Sequence, residues 1–170
     1  MGQPLAYKSQ GKYHIKIWHG DIYSDQNSQQ LVDWYSFTHI THGVFFYFLL
    51  WLIKKIIKFK QKSLLLLLLI ALILEMAWEI FENTDFVINR YRESTISLGY
   101  YGDSVINSVF DVLFMVVGFL IAAFMPVWFT ILFIIVLELF LLYMIRDNLI
   151  LNLIMLIFPS QAILQWQMQK

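Results

Sequence analysis

The 170-residue chain contains no cysteine. Disulfides, iron–sulfur clusters and thiolate zinc sites are thereby excluded, while the redox compartment is left undecided. Charge is scarce as well: Asp, Glu, Lys and Arg make up 14% of residues, against about a quarter in a soluble domain. The 12 basic and 12 acidic side chains cancel to a net charge of zero. Without an excess of basic charge, and without a basic patch interleaved with exposed aromatics, nucleic acid is not an expected partner. The opening "MGQPLAYKSQGKYHIKIWHGD" lacks the apolar h-region of a cleavable signal peptide. Its Met-Gly start is a poor myristoylation site, because Ala6 stands where Ser or Thr is needed. There is no internal repeat and no low-complexity linker.

What the chain does hold is hydrophobe, 59% of residues, with 18% aromatic. Four apolar runs stand out, from Trp34 to about Ile57, Ser63 to about Asn83, Val105 to Phe124, and Val127 to Ile145. Each has 19 to 24 residues, against the roughly 20 that cross a ~30 Å hydrocarbon core as a helix. Backbone groups in lipid must be satisfied within their own segment, so helices are the expected form. The tail from Asn148 has a shorter apolar run, Leu149 to Phe158, interrupted by Asn152 and stopped at Pro159. That length favours a re-entrant or interfacial helix over a fifth crossing. The fold class expected is therefore an all-α integral membrane protein: a bundle of four transmembrane helices plus a C-terminal re-entrant, interfacial or fifth helix. A polar N-terminal segment, residues 1–32, precedes a single helical membrane domain, residues 33–170.

Lysine sets the orientation. "KKIIKFKQK" places Lys54, Lys55, Lys58, Lys60 and Lys62 between the first two helices, and short loops this basic stay in the cytoplasm. The first helix then runs from outside to inside, and the polar N-terminal segment, with Lys8, Lys12 and Lys16, lies on the outer face without an evident helix to deliver it.

On that topology the polar residues of all four helices gather at one membrane face. His39 and His42 sit at i and i+3 near the outer end of the first helix. Glu75, Glu79 and Glu82, at i, i+4 and i+7, form one stripe on the second. Asp103, Asn107 and Asp111 form another at the start of the third, with Asp103-Ser104 as an N-cap arrangement, and Arg146, Asp147 and Asn148 close the fourth. An ionised carboxylate near the centre of a membrane helix costs about 2.5 to 3.5 kcal/mol, so these stripes are expected to face other helices or a wet cavity.

Imidazole and carboxylate without sulfur suit one divalent metal ion, Zn, Mn, Fe or Mg. The candidate ligands are His39, His42, Glu79, Glu82 and Asp111. Glu75, the deepest carboxylate, reads as structural or proton-carrying. Glu79, Glu82 and Asp103 are the candidate catalytic residues, and Glu138 is expected to bond across the bundle. Arg90, Arg92 and Arg146, with Asn107, are candidates for binding a headgroup phosphate, set against interfacial snorkelling or pairing with the acids.

The runs "SDQNSQQLVDWYSFTHITHGVFFY", "EMAWEIFENTDFVINRYRESTISLGYYGDSVINSVFD" and "LELFLLYMIRDNLILNLIMLI" resemble the bacterial multi-pass inner-membrane proteins of domain of unknown function 2585, or uncharacterised protein family 0314. The resemblance covers about residues 15 to 166. It implies a multi-pass protein of the bacterial inner (plasma) membrane, and a further hydrophobic segment ahead of "KIWHGDIYSDQNSQQ" in members of the family. It supplies no activity.

Three functions fit these residues. The first is a metal-dependent hydrolase or transferase acting on a lipid-linked or phospholipid headgroup substrate at the outer leaflet. The second is a non-enzymatic membrane protein whose outer polar cluster fixes helix packing or binds a lipid or partner. The third, a small ion-coupled transporter, is disfavoured by inner helix halves that lack polar residues. Membrane lipid is the expected partner, and self-association into a homo-oligomer stays open.

Overall fold

Each of the four apolar runs forms one long helix: α1 (Ser36–Ile56), α2 (Leu64–Glu82), α4 (Val105–Phe124) and α5 (Val127–Ile145). Three shorter helices complete the chain, α3 (Asp85–Ser94), α6 (Leu149–Ile157) and α7 (Gln161–Met168). The computed structural model describes residues 3–58 and 63–169. Lys60 and Lys62 of the basic connection, and the Met1-Gly2 start, lie outside the described residues. The molecule is an all-α bundle in which four helices are long and apolar enough to cross a membrane.

The distribution of polarity is inside-out for a water-soluble bundle. In α2, Glu75 is fully buried while Ile80 is 72% exposed. In α5, Glu138 is buried while Val127, Val136 and Leu139 face outward. Exposed apolar surface on this scale fits lipid rather than water. Glu138 accepts from the Thr41 hydroxyl of α1 at 2.8 Å and from the Leu149 backbone amide at 3.1 Å, so it does bond across the bundle.

One crossing sets the geometry of everything else. α1 packs most extensively on α4, through Gly43 and Gly118. A Cβ on Gly43 would lie 1.9 Å from the Met115 carbonyl oxygen, and one on Gly118 would lie 1.9 Å from that of Ile40. Only glycine admits backbones this close, as at small-residue contacts between membrane helices. His39 lies one turn before Gly43 and Asp111 two turns before Gly118, so this approach draws both toward the same level.

The remaining ends are capped by side chains that the sequence places there. Ser63, Thr84, Ser104 and Asn148 each accept from the amide three residues on, at the starts of α2, α3, α4 and α6. At α1, Asp33 accepts from the amides of Tyr35 and Ser36, and the Ser36 hydroxyl accepts from the Asp33 amide. The N-terminal segment contains a short hairpin, β1 (Lys8–Ser9) and β2 (Lys12–Tyr13), and docks on the start of α4. There the Val105 and Ile106 amides donate to the carbonyls of Pro4 and Leu5, and the Ser104 amide donates to that of Ser28. Donors that a helix start would otherwise leave open are thus satisfied.

Two shorter stretches are helical as well. In the connection of residues 83–104, between α2 and α4, α3 occupies the first half. The tail forms two helices of 9 and 8 residues, about 14 and 12 Å long, so neither crosses a membrane by itself. The chain reverses at Arg146, whose φ of +54° is left-handed, and α6 then packs against α3.

Candidate functional site

His39 stands at the centre of three carboxylates. Its Nδ1 lies 2.6 Å from Glu75 Oε1 and 3.4 Å from Glu79 Oε1, and its Nε2 lies 4.0 Å from Asp111 Oδ2. His42, one turn along α1, puts Nδ1 3.2 Å from the other oxygen of Glu75. The two imidazole rings are 4.8 Å apart. Glu75 thus holds both histidines, and α1, α2 and α4 each contribute to one cluster. His39, Glu75, Glu79 and Asp111 are all at least nine-tenths buried.

The carboxylates of this cluster contact imidazoles rather than permanent cations. Among the described residues no lysine or arginine pairs with Glu75, Glu79 or Asp111. Both oxygens of Glu79 and Oδ1 of Asp111 are buried without a well-formed hydrogen bond, although the Ser108 and Ser36 hydroxyls stand near the two carboxylates. Buried acceptors left in this state are costly unless a proton or a cation joins them. Among the described residues, two sets offer ligand atoms within 4.8 Å of one another: His39 with His42 and Glu75, and His39 with Glu79 and Asp111. The second set has the unengaged oxygens, and metal bonds of about 2.0–2.2 Å to imidazole and carboxylate would satisfy them.

A narrow cleft reaches the cluster, and His39, His42 and Asp111 line it. Its walls include Trp78 and Glu82 from α2, Tyr91 from α3, and Tyr100 and Asp103 from the α3–α4 connection. Asp103 accepts from Asn83 Nδ2 at 2.9 Å and from the Tyr100 hydroxyl at 3.0 Å. Burial pushes Asp103 up to about 6, with the Asn83 and Tyr100 hydrogen bonds working against the rise. Tyr91 and Tyr100 are raised well above the usual tyrosine range, by burial first and then by the neighbouring carboxylates. Both are therefore neutral donors at any physiological pH.

Of the candidate ligands, His39, Glu79 and Asp111 come together, and His42 joins them through Glu75. Glu82 belongs to neither ligand set and sits beside Tyr91 and Trp78. Asn107 is buried on the α4 face below Asp103, and its amide nitrogen has no hydrogen-bond partner. The three arginines stand elsewhere, and none lines the cleft. Arg90 donates to the carbonyls of Leu156 and Ile157, Arg92 to that of Tyr100, and Arg146 to that of Trp166. They tie α6, the α3–α4 connection and α7 into place.

Several contributors escape a reading of residue types. Glu75 holds two imidazoles, which its depth alone does not announce. Asp33 fixes the start of α1, and the Asp33-x-x-Ser36 spacing is the signal for it. Asn152 of α6 accepts from the Tyr91 hydroxyl at 3.0 Å and lines the cleft, a pairing that only the docking of α6 on α3 creates.

Residues 8–169 match the family described as "Protein of unknown function (DUF2585)". Among similar curated proteins, a UPF0314 protein of Sphingopyxis alaskensis is 51% identical over 154 residues, covering 90% of this chain and 79% of the relative. A UPF0314 protein of Rhizobium meliloti is 51% identical over 154 residues, 91% of this chain and 76% of its own, and one of Paracoccus denitrificans is 47% identical over 153 residues, 90% and 77%. No solved structure matches the chain. With a family match over nearly its whole length and relatives at about half identity, the chain belongs to this uncharacterised family, DUF2585 or UPF0314.

Proposed function

We propose that this is a metal-dependent hydrolase or transferase of the bacterial inner membrane, acting on a phospholipid or lipid-linked ester at the outer leaflet. One observation carries the reading: His39, Glu79 and Asp111 converge, buried and uncompensated by lysine or arginine, beside an open cleft. A structural metal is closed off by its ligands, whereas a catalytic one keeps a position open to substrate. A divalent ion here would lower the pKa of bound water toward neutrality and supply the nucleophile. In hydrolysis the water oxygen would bond to the phosphorus or carbonyl carbon as the ester bond breaks, the proton lost by that water passing to the leaving alcohol. Ligands of imidazole and carboxylate suit Zn, Mn, Fe or Mg.

The orientation is supported by Lys54, Lys55 and Lys58 at the opposite end of the bundle, a cytoplasmic signature. A phosphate-binding role for Arg90, Arg92 and Arg146 is not part of this reading, since their guanidinium groups donate to backbone carbonyls and none lines the cleft. A second reading rests on Glu75 alone: its hydrogen bonds from two imidazoles would serve equally as a packing strut between α1 and α2. Elemental analysis by inductively coupled plasma mass spectrometry separates the two. The reading expects stoichiometric metal in protein purified without chelator, and its loss in Asp111→Asn with the bundle still folded. Metal-free wild-type protein that also fails to take up added Zn, Mn, Fe or Mg would leave only the strut.

A further inference from the structure

The cleft beyond the cluster has a chemistry of its own. None of its lining residues is Lys or Arg, while Glu82 and Asp103 are both on its walls. An anion entering alone would meet carboxylates without a lysine or arginine beside them. An organic cation would meet two carboxylates and the rings of Trp78, Tyr91 and Tyr100. Tyr91 and Tyr100 pack edge to face with centroids 5.4 Å apart, and the Tyr100 hydroxyl is committed to Asp103. Aromatic rings beside carboxylates are the surroundings in which ammonium groups are held. Two acceptor oxygens on the same cleft lack a well-formed hydrogen bond: Asp111 Oδ1, on a residue 4% exposed, and Asn27 Oδ1. A ligand bearing N–H donors or positive charge would answer both the charge and the open acceptors.

From this geometry we propose that the cleft recognises the ammonium group of a zwitterionic phospholipid headgroup, between Glu82, Asp103 and the Trp78, Tyr91 and Tyr100 rings. The placement of the phosphate rests on the metal reading above; the ammonium site does not. Glu82 lies one helical turn beyond Glu79, roughly 5 Å along α2. The two-carbon link between phosphate and amine in ethanolamine or choline headgroups spans a comparable distance. Phosphate at the His39–Glu79–Asp111 end and ammonium at Glu82 would set the scissile ester in a fixed direction.

The test uses the full chain in detergent, offered equal amounts of phosphatidylethanolamine and phosphatidylglycerol, with retained lipid read by native mass spectrometry. Both lipids carry the same phosphodiester, and only the first carries an ammonium. The expected result is about tenfold preference for phosphatidylethanolamine, reduced to near parity in Glu82→Gln and in Trp78→Leu, each checked for folding by its melting transition. Equal retention by the wild type, or a preference unmoved in both folded variants, overturns the proposal. Displacement of the lipid by an equimolar amount of free ethanolamine would overturn the lipid assignment in favour of a soluble amine. The same preference measured in Asp111→Asn separates the two readings. If it persists where no metal binds, the ammonium site stands whatever becomes of the metal centre.

Discussion

His39 and Glu75 meet at 2.6 Å, Nδ1 against Oε1, on neighbouring helices and largely buried. An ionised carboxylate can only accept, so the proton of this contact is assigned to Nδ1, which leaves Nε2, 4.0 Å from Asp111 Oδ2, as the nitrogen with a lone pair. A carboxylate that fixes the tautomer of a ligating imidazole is the common support of histidine–metal bonds.

The two glutamates one turn apart are therefore expected to behave differently. Glu79→Gln should abolish metal binding, because it replaces an anionic ligand. Glu75→Gln should weaken it by about 10- to 100-fold, through loss of imidazole orientation. Titration of both folded variants with Zn or Mn distinguishes the roles. Unchanged affinity in Glu79→Gln would remove it from the ligand set.

The α1–α4 crossing offers a test that touches no polar group. A methyl group on Gly43 or Gly118 collides with backbone rather than with a movable side chain. Gly43→Ala should lower stability by about 1 to 3 kcal/mol or more, and should lower metal content in proportion to the separation of α1 from α4. A melting transition equal to that of the wild type would show that the helices do not approach this closely.

How far the sequence reaches can be judged from these same residues. The long helices are legible because length and apolarity suffice for α1, α2, α4 and α5. The Glu75–Glu79 pair and Asp111 are legible as stripes from their spacing. Which stripe residue meets His39 is not, because that depends on how closely Gly43 and Gly118 bring two backbones. α3 escapes because its ten residues include Arg90, Arg92 and Glu93 and carry no long apolar run, although Thr84-Asp85 is a fair start signal. The arginines are ambiguous for a different reason. Their partners are carbonyls of α6, of α7 and of the α3–α4 connection, and no local pattern marks a carbonyl as an acceptor.

Arg90 makes that ambiguity testable. Its Nε donates to the Leu156 carbonyl at 2.7 Å and its Nη2 to that of Ile157 at 3.2 Å, capping the end of α6. Arg90→Ala should cost about 1 to 3 kcal/mol by leaving these carbonyls open. It should also speed hydrogen exchange across residues 149–158, read by mass spectrometry. Exchange unchanged in that helix, with loss of binding to a lipid phosphate, would instead return Arg90 to the role of a headgroup ligand.

Asp147 gives the bundle a pH dependence of defined sign. It is almost fully buried, accepts from the Tyr35 hydroxyl at 3.2 Å and from the Asn148 amide at 2.9 Å, and is pushed by burial from 3.8 up to about 6. The folded protein thus keeps a proton that the unfolded chain has already released in the window from about 3.8 to 6. The stability due to that proton is complete below the window and is lost as pH rises through it. Holding the proton across that whole window is equivalent to roughly 3 kcal/mol. Asp103, also raised to about 6, acts in the same direction. In detergent with chelator present, so that metal binding does not contribute, the wild type should melt at a higher temperature at pH 5 than at pH 7.5. Asp147→Asn should keep the uncharged shape, gain stability at pH 7.5, and show a shallower fall in melting temperature between pH 5 and 7.5 than the wild type. A wild-type melting temperature that rises between pH 5 and 7.5, with Asp147→Asn no different, would mean that Asp147 is ionised in the folded bundle and stabilised by its hydrogen bonds.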